Sequence, residues 1–598
     1  MMNLPSIKEI TNKAKHAFKR FPITLSWSIT GSLILIGIIN VDADLLFDEY
    51  INSLLTMVLG VSWLIGSRFF IEQLKDQGKG NWLKFVVIGL LVLFYLHLPN
   101  TGRYDLDPKL FIRFWLYFLA GHLFVFVAPF ILKWDPKAYW NYLKCICIAI
   151  GRSILFSGVL YLGLVLALAA IQALFDVDID AKRYGQLFVL CLGIVNTWTY
   201  LSDFPKTVYG QRSITYNKAL EVFVKYILIP LVLLYMIILY AYAFKILLQW
   251  SLPKGWVSYL VTALALLGFS IQVMVNPVQK TIKSWIINRF YPWFYILLLP
   301  LIILLFVAIF RRISDYGVTE NRYFVLTLAL WILGMVLYLL FSKKRPLKVL
   351  PISLGILTIL SSFGFWGAFS VSKKSQLNQF SMVYKAVKSN GNLASDEQYE
   401  RLRSIISYFA ESKSINHLDE VVGLSTHEIC KDTSESRYRT YSYGAPQRLL
   451  DSLAIKLDPK TSKIPLSGTY YKYYGTNGKS SSYAISGFDH LAQLSLDSYA
   501  ENKMEIGELD IHYNNNRSTL SFFSKKDSAH ILDIPLRDKL LYLTKYNDQV
   551  HINKNELILD TENDQVKIRF VFQEYNYEVI NDTIKLNHAR ALLFLKTK

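Results

Sequence analysis

Charged and hydrogen-bonding side chains are concentrated between residues 311 and 323 of this chain. The residues that could bind a ligand there are Arg311, Arg312, Asp315, Tyr316, Glu320, Asn321 and Arg322. The spacing of the arginines and carboxylates allows salt bridges, and Gly317 permits a sharp turn. Because an arginine fork matches phosphate geometry, one interpretation is a site for an anion or a lipid head group. The other interpretation is a self-paired loop that fixes two helices.

Three further polar residues lie inside apolar stretches, namely His122, Asn196 and Lys245. An ionisable side chain within a membrane is costly, which makes each such position a candidate functional site. His122 could relay protons or make a hydrogen bond between helices. Lys245 lies about one turn from the end of its stretch and can extend to the interface. No Asp or Glu lies in the middle of a stretch, which disfavours ion-coupled transport.

Motifs for catalysis and metal binding are incomplete in this sequence. His427-Glu428 begins a zinc-protease pattern, but Lys431 occupies the position of the second histidine. Gly478-Lys479-Ser480 resembles the end of a phosphate-binding loop, but Tyr473 stands in place of the first glycine. We therefore predict no catalytic residues, no metal site and no cofactor, and an enzyme is the less favoured class.

Eleven apolar segments position these residues. A helix needs about 20 apolar residues to cross the hydrocarbon layer, and it satisfies its own backbone polar groups there. The predicted spans are Pro22–Asn40, Ile51–Ser67, Trp82–Leu98, Phe111–Leu132, Ser153–Phe175, Gly185–Ser202, Tyr226–Trp250, Trp256–Asn276, Pro292–Phe310, Tyr323–Ser342 and Val349–Phe369. This pattern predicts a polytopic α-helical membrane domain over residues 1–371.

The charge distribution supports a membrane partner and disfavours nucleic acid. The chain has 64 Lys+Arg and 45 Asp+Glu, and the part from Val371 onwards holds 30 and 28 of them. The membrane part therefore has 34 basic and 17 acidic residues and carries +17 of the formal +19. Basic residues collect in cytoplasmic loops next to anionic lipid head groups. The predicted partners are therefore the bilayer and anionic head groups at the cytoplasmic loops, with no nucleic acid.

The same charges orient the chain. Val41–Tyr50 has four acidic residues and no basic one, whereas the loop at 343–348 has four basic residues. This alternation places the N-terminus in the cytoplasm and, with an odd number of spans, places Ser372–Lys598 outside it. Basic residues before Pro22, followed by a long apolar run, predict an uncleaved signal anchor. We expect a multi-pass protein of the bacterial cytoplasmic (inner) membrane.

Two cytoplasmic loops have an amphipathic pattern. In Lys137–Arg152 and in Val278–Tyr291, aromatic and aliphatic residues recur at helical spacing among basic ones. This pattern is typical of helices that lie at the head groups. We predict that both segments anchor the protein at the membrane surface.

The polar part, residues 372–598, predicts an extracytoplasmic α+β domain that is helical to about residue 460. Ser395-x-x-Gln398 is a capping box before apolar residues at helical spacing. The period then changes to two. Leu509–Phe522 predicts a hairpin with its turn at Asn514-Asn515-Asn516, and Val566–Phe572 predicts a strand. Asn581-Asp582 predicts another turn, so antiparallel strands dominate after residue 460.

The stretch Arg312-Ile313-x-x-Tyr316-Gly317-x-Thr319-Glu320-Asn321-Arg322-Tyr323 resembles the signature of a bacterial multi-pass membrane family, domain-of-unknown-function family 4153. Similar pieces are Leu252-Pro253-x-Gly255-Trp256 and Phe363-Gly364-Phe365-Trp366, where Gly364-Phe365 replaces a glycine-proline pair. The resemblance covers the second half of the membrane region and the entry to the polar domain. It implies many helices and a trailing domain, without an activity.

Three functions agree with these observations. The leading hypothesis is a non-enzymatic membrane protein that presents a binding or sensory domain to an extracytoplasmic protein partner. The second is a transporter or lipid-handling permease in which Arg312 and Arg322 hold an anionic group. The third is a membrane-embedded transferase, for which no acid–base pair is identified.

Overall fold

A computed structural model describes residues 7–598, with gaps at 43, 46–48, 75, 99–107, 206, 210–213, 215, 217, 250–255, 277–278, 280–283, 343–345, 432–443, 459–468, 475–482, 498–502, 515–517, 547–551 and 581–582. Several features predicted above lie outside the described residues, namely the motif piece 252–255, the basic residues 343–345, the segment 478–480 and the turn residues 515–516 and 581–582.

The chain divides into two units. The helical unit comprises Met1–Gly391 and Glu400–Ala454, and the strand unit comprises Asn392–Tyr399 and Ile455–Lys598. The predicted domain boundary at 371/372 falls inside the helix Ala368–Ser389, which we call the extension helix. The division into a membrane domain and a polar domain at that boundary stays a prediction.

Apolar helices make up most of the helical unit. Eight of the described helices are long and apolar enough to cross a membrane: Pro22–Val41, Ile51–Glu72, Pro108–Phe130, Pro136–Phe175, Leu220–Gln249, Val257–Val275, Ile287–Tyr316 and Glu320–Phe341. Trp82–His97 and Val349–Ser361 are apolar but shorter. The segment predicted as Gly185–Ser202 consists of an α-helix Lys182–Phe188, a π-helix Val189–Val195 and an α-helix Asn196–Ser202. The predicted polytopic helical membrane domain is confirmed.

The remaining helices are polar or short. They are Ile7–Arg20, Gln77–Gly80, Lys218–Phe223, Ala368–Ser389, Asp396–Glu411, Asp419–Val422, Thr426–Cys430, Ala445–Ser452 and Arg537–Leu543, with single turns of 3₁₀ helix at Ala128–Phe130, Ile415–Leu418, Thr544–Tyr546 and Lys554–Leu557. Asp396–Glu411 begins with the predicted capping box, in which Gln398 N donates to Ser395 Oγ at 3.3 Å and Ser395 N donates to Gln398 Oε1 at 3.0 Å.

The two predicted surface helices are parts of longer helices where the structure describes them, and residues 278 and 280–283 of the second lie outside the described residues. Their role as membrane anchors stays a prediction. Lys137–Arg152 is the first half of one continuous 40-residue helix, Pro136–Phe175, and its aromatic face is buried. Trp285 begins the helix that continues to Tyr316. An amphipathic pattern marks a helix with two different faces, and here the apolar face of Pro136–Phe175 packs on protein.

Side chains from distant positions satisfy the backbone where the helix Pro108–Val127 ends. Pro129 has no N–H, so the carbonyl four residues earlier, at Val125, loses its usual donor. Tyr142 donates its hydroxyl to that carbonyl at 2.7 Å. Gln73 donates to Ala128 O at 2.6 Å. Lys348 donates to the carbonyls of Phe130 and Ile131 at 3.1 and 2.9 Å.

Aromatic side chains fill the core next to this helix end. Phe69 is fully buried, and its ring meets those of Phe21, Tyr142 and Phe204 edge to face at centroid distances of 5.5, 5.3 and 5.0 Å. Such pairs contribute about 0.5–1.5 kcal/mol each beyond their area burial. The aromatic cluster therefore holds four segments that are far apart in the sequence.

Antiparallel strands dominate the strand unit, which confirms the predicted α+β class. The strands are β1 Leu393–Ala394, β2 Lys456–Leu457, β3 Thr469–Tyr474, β4 His490–Asp497, β5 Lys503–Ile506, β6 Leu509–Asn514, β7 Thr519–Ser524, β8 His530–Pro535, β9 Ile558–Glu562, β10 Val566–Ile580 and β11 Thr583–Thr597. One sheet has the order β3-β10-β11-β4, with β9 also on β10, and a second has the order β5-β6-β7-β8. β1 and β2 form a small parallel pair.

The predicted alternation fixes which residues enter the core of the strand unit. Along β10, Val566, Ile568, Phe570 and Phe572 are all buried, as the period of two requires. The predicted hairpin is β6 and β7, which pair in register from Leu509↔Ser524 to Asn514↔Thr519. The longest pairing joins β10 and β11, with irregularities after Phe572 and Asn576 that change the local register.

The replacement Tyr142→Phe is expected to lower the free energy of unfolding by about 1–3 kcal/mol, because it leaves the Val125 carbonyl without a donor in an apolar interior. Thermal unfolding of the full chain in detergent measures this loss. Tyr161→Phe is the matched control, since its hydroxyl on the same helix has no hydrogen-bond partner among the described residues. Equal midpoints for the two variants would contradict the role given to Tyr142.

Candidate functional site

A tight turn, Gly317–Thr319, joins the helix Trp285–Tyr316 to the helix Glu320–Phe341, and we call it the signature turn. Gly317 has φ +71° and ψ −178°, a conformation that only glycine adopts readily. A Cβ atom at this position would lie 3.0 Å from Gln379 Cγ and 3.1 Å from Ser375 Oγ. Glycine is therefore needed here both for the backbone angle and for the close approach of the extension helix.

The extension helix hydrogen-bonds to the backbone of this turn. Ser375 Oγ accepts from Val318 N at 2.8 Å. Gln376, which is 3% exposed, donates from Nε2 to Tyr316 O at 3.1 Å and to Val318 O at 2.9 Å. The carbonyls at the end of a helix have no partner within it, so a side-chain donor is the expected solution when that end is covered. One buried amide thus connects both sides of the turn.

The arginines of the predicted site make different contacts. Arg322 donates from Nη1 to Tyr316 O at 3.1 Å and to Gly317 O at 2.7 Å, and its guanidinium lies 5.4 Å from the centre of the Tyr316 ring. Arg311 pairs with Asp315 at 3.1 Å on an exposed surface, where an ion pair contributes little. Arg312 is half-buried and has no hydrogen-bond or ion-pair partner among the described residues.

The polar residues after the turn bond to other elements of the helical unit. Glu320 Oε1 accepts from the Tyr408 hydroxyl at 2.7 Å. Burial and this carboxylate raise the pKa of Tyr408 well above its ordinary value, so the phenol stays a neutral donor. Asn321 Nδ2 donates to the Tyr259 hydroxyl at 2.6 Å. The seven predicted residues thus lie at one place in the fold, where most of them connect helices.

The predicted intramembrane polar residues separate into two groups. His122 and Asn196 line the same cavity, which has a volume of about 520 Å³ and lies among the helices of the first half of the helical unit. Lys245 is exposed on the helix Ile229–Gln249 and does not line this cavity. The structure therefore places two residues of different predicted spans in the lining of one cavity.

Two clusters of charged side chains were not predicted from the sequence. Glu72 accepts from Arg20 at 2.8 and 2.7 Å, and Arg68 lies 3.2 Å from the same carboxylate. Asp203 pairs with Arg152 at 2.9 Å and with Lys13 at 3.6 Å. Only the Arg68–Glu72 spacing of four residues is a local signal. The other partners are brought together by helix packing, which no sequence spacing reveals.

Metal binding finds no support in the described part of the chain, where no group of three His, Cys, Asp or Glu side chains could hold an ion. The four cysteines are free thiols. Cys430 is buried next to Arg448, and burial raises the pKa of its thiol to about 11, so it stays protonated at neutral pH.

Comparisons with known proteins identify a family and one uncharacterized relative. A family model described as "Domain of unknown function (DUF4153)" matches residues 54–384, which is more than half of the chain. An uncharacterized protein of Pasteurella multocida (strain Pm70) is 22% identical over 427 residues, covering 70% of this chain and 68% of the relative. No solved structure matches the chain.

The replacement Gly317→Ala is expected to destabilise the helical unit by about 1–3 kcal/mol, because alanine strains the backbone angle and its Cβ displaces the extension helix. Thermal unfolding in detergent and proteolysis of the extension helix measure the effect. Gly334→Ala is the control, since a Cβ there meets no atom within 4 Å and alanine favours a helix. If both variants unfolded at the wild-type temperature, the constraint on Gly317 would be refuted.

Proposed function

Because the chain belongs to the DUF4153 family, which is described as a domain of unknown function, we propose its role from geometry: it is a non-enzymatic integral membrane protein that presents a binding or sensory domain outside the cytoplasm. The observation that carries this proposal is the attachment of the extension helix to the signature turn. Ser375 and Gln376 bond to that turn, and Tyr408 bonds to the first residue of the following helix.

These contacts favour signalling over simple tethering. A flexible tether would need no hydrogen bonds to the ends of membrane helices. Here, side chains from two helices that follow the last apolar segment bond to Tyr316, Val318 and Glu320. A ligand or a partner that shifts the extension helix would therefore act directly on the ends of Trp285–Tyr316 and Glu320–Phe341.

Within this proposal, the arginine-rich loop has a structural role. Arg322 uses one nitrogen to hold two carbonyls of the signature turn, and Tyr316 covers its guanidinium. An anion would compete with these internal bonds for the same group. We therefore favour the self-paired loop over the anion site, and with it the sensory protein over the anion permease.

The extracytoplasmic placement of residues 372–598 rests on the alternation of basic residues among the loops. Near-balanced charge, with 30 basic and 28 acidic residues from Val371 onwards, suits a folded domain that binds a protein partner. The membrane part, residues 1–371, would lie in the bacterial inner membrane with anionic head groups at its basic loops.

Reporter fusions at Lys598 test the placement. Alkaline phosphatase, which folds only outside the cytoplasm, is expected to be active there, and a fluorescent protein that needs the cytoplasm is expected to be dark. A matched pair of fusions after Ser342, at the predicted cytoplasmic end of its span, should give the opposite result. A bright fluorescent fusion at Lys598 would place the polar domain in the cytoplasm and contradict the proposal.

Truncation after Ala454 tests the binding role. The shortened chain keeps the extension helix and Tyr408 but lacks Ile455–Lys598. We expect chemical cross-linking in cells to capture a specific protein with the full chain and to lose it with the truncated chain, at equal amounts of inserted protein. Recovery of the same cross-linked protein with both chains would show that the strand unit is not the binding domain.

A further inference from the structure

The cavity that contains His122 and Asn196 is large enough for a small molecule or a lipid chain. Its volume of about 520 Å³ falls within the range of about 300–1,000 Å³ that is typical of ligand sites. The lining is mostly apolar, with side chains such as Trp27, Leu54 and Val58. Among the described residues, no Asp, Glu, Lys or Arg lines it. A charged ligand would lose its hydration here without gaining a counter-charge, so the cavity favours a neutral ligand.

The histidine presents a hydrogen-bond acceptor. Its Nδ1 atom lies 2.8 Å from the carbonyl of Phe118, and because a carbonyl can only accept, Nδ1 carries the proton. In the neutral ring, Nε2 then has a free lone pair. Within the residues that the structure describes, Nε2 has no hydrogen-bond partner.

The asparagine presents a donor. Ser157 Oγ lies 3.2 Å from its Oδ1 atom, but the Ser157 hydroxyl has one hydrogen, and the carbonyl of Ser153 is the nearer acceptor for it at 2.7 Å. The amide carries two N–H groups and Ser157 can accept from only one of them, so at least one N–H has no partner among the described residues. One donor and one acceptor on the wall of an apolar cavity match a hydroxyl group, whose oxygen accepts one hydrogen bond while its hydrogen makes another.

The wall on the Asn196 side is held in place by close packing. Ser28 Oγ donates to the carbonyl of Gly193 at 2.6 Å, within the π-helix Val189–Val195. Ser32 approaches Gly193 so closely that a Cβ would not fit. Short π-helical segments are frequent at functional sites, and this one turns directly into the helix that begins with Asn196. These contacts therefore hold the wall next to Asn196 in place.

We propose that this cavity binds a long-chain lipid with a neutral hydroxyl head group. Its hydroxyl oxygen accepts from the amide of Asn196, its hydroxyl hydrogen is donated to Nε2 of His122, and its chain lies against the apolar lining. The proposal is independent of the sensory role, since the described residues that line the cavity include none from the signature turn or the strand unit.

The test uses the full chain in lipid nanodiscs and a fatty alcohol that carries a diazirine in its chain. After irradiation, we expect the label on cavity-lining segments of the helices Pro22–Val41, Ile51–Glu72 and Pro108–Val127. Three unlabelled competitors of equal chain length are compared by the concentration that halves the labelling. For the alcohol, this concentration should be at least about tenfold lower than for an alkyl sulfate or an alkyltrimethylammonium. Equal competition by the three compounds would mean apolar partitioning only and would overturn the proposal.

Variants separate the polar contacts from the apolar space. His122→Phe and Asn196→Leu are each expected to weaken labelling by roughly three- to tenfold, the effect of one lost hydrogen bond. Val58→Trp fills the cavity and should abolish labelling, and Lys245→Leu, outside the cavity, should leave it unchanged. If labelling persists in Val58→Trp, or if both polar variants label like wild type, the assignment is wrong. If a polar variant does not fold, the competition series on the wild-type chain still decides the question.

Discussion

The structure depends on one constraint: within an apolar surrounding, every backbone polar group needs a partner inside the protein. Regular helix meets this requirement without help, so the informative places are those where a helix stops. At Pro129, the freed carbonyl of Val125 receives the hydroxyl of Tyr142. At the signature turn, Gln376 serves two carbonyls at once. In both cases, a side chain from a distant part of the sequence donates to a carbonyl at a helix end. Each helix end is therefore connected to another element of the fold.

This constraint explains which features could be predicted from the sequence and which could not. Apolar length predicted the membrane helices, alternation predicted strands such as β10, and the residues around Gly317 resembled the family that the comparisons confirmed. The partners of these residues could not be predicted, because Gln376 and Tyr408 lie about 60 and 90 residues from the turn. Likewise, no local pattern joins His122 to Asn196, which line one cavity only because several helices pack around it.

Ion pairs and neutral hydrogen bonds contribute differently to the stability of the two halves of the helical unit. Near the signature turn, the Arg311–Asp315 pair is largely exposed, and the stabilising contacts are hydrogen bonds to the backbone. In the first half, Arg20 binds Glu72 with two hydrogen bonds, and both side chains are mostly buried, at 9% and 16% exposure. Removal of either partner there would leave a buried charge, which costs far more than the loss of an exposed pair.

The length of the helix Pro136–Phe175 has a consequence for temperature dependence. Forty residues extend over about 60 Å, twice the thickness of the hydrocarbon layer, so water or head groups surround part of this helix. Its buried residues all lie at or before Ser157. That end is held by exclusion of water from its protein contacts, which weakens on cooling, whereas none of the residues after Ser157 is buried against protein. Cold should therefore loosen this helix at the end that precedes Ser157.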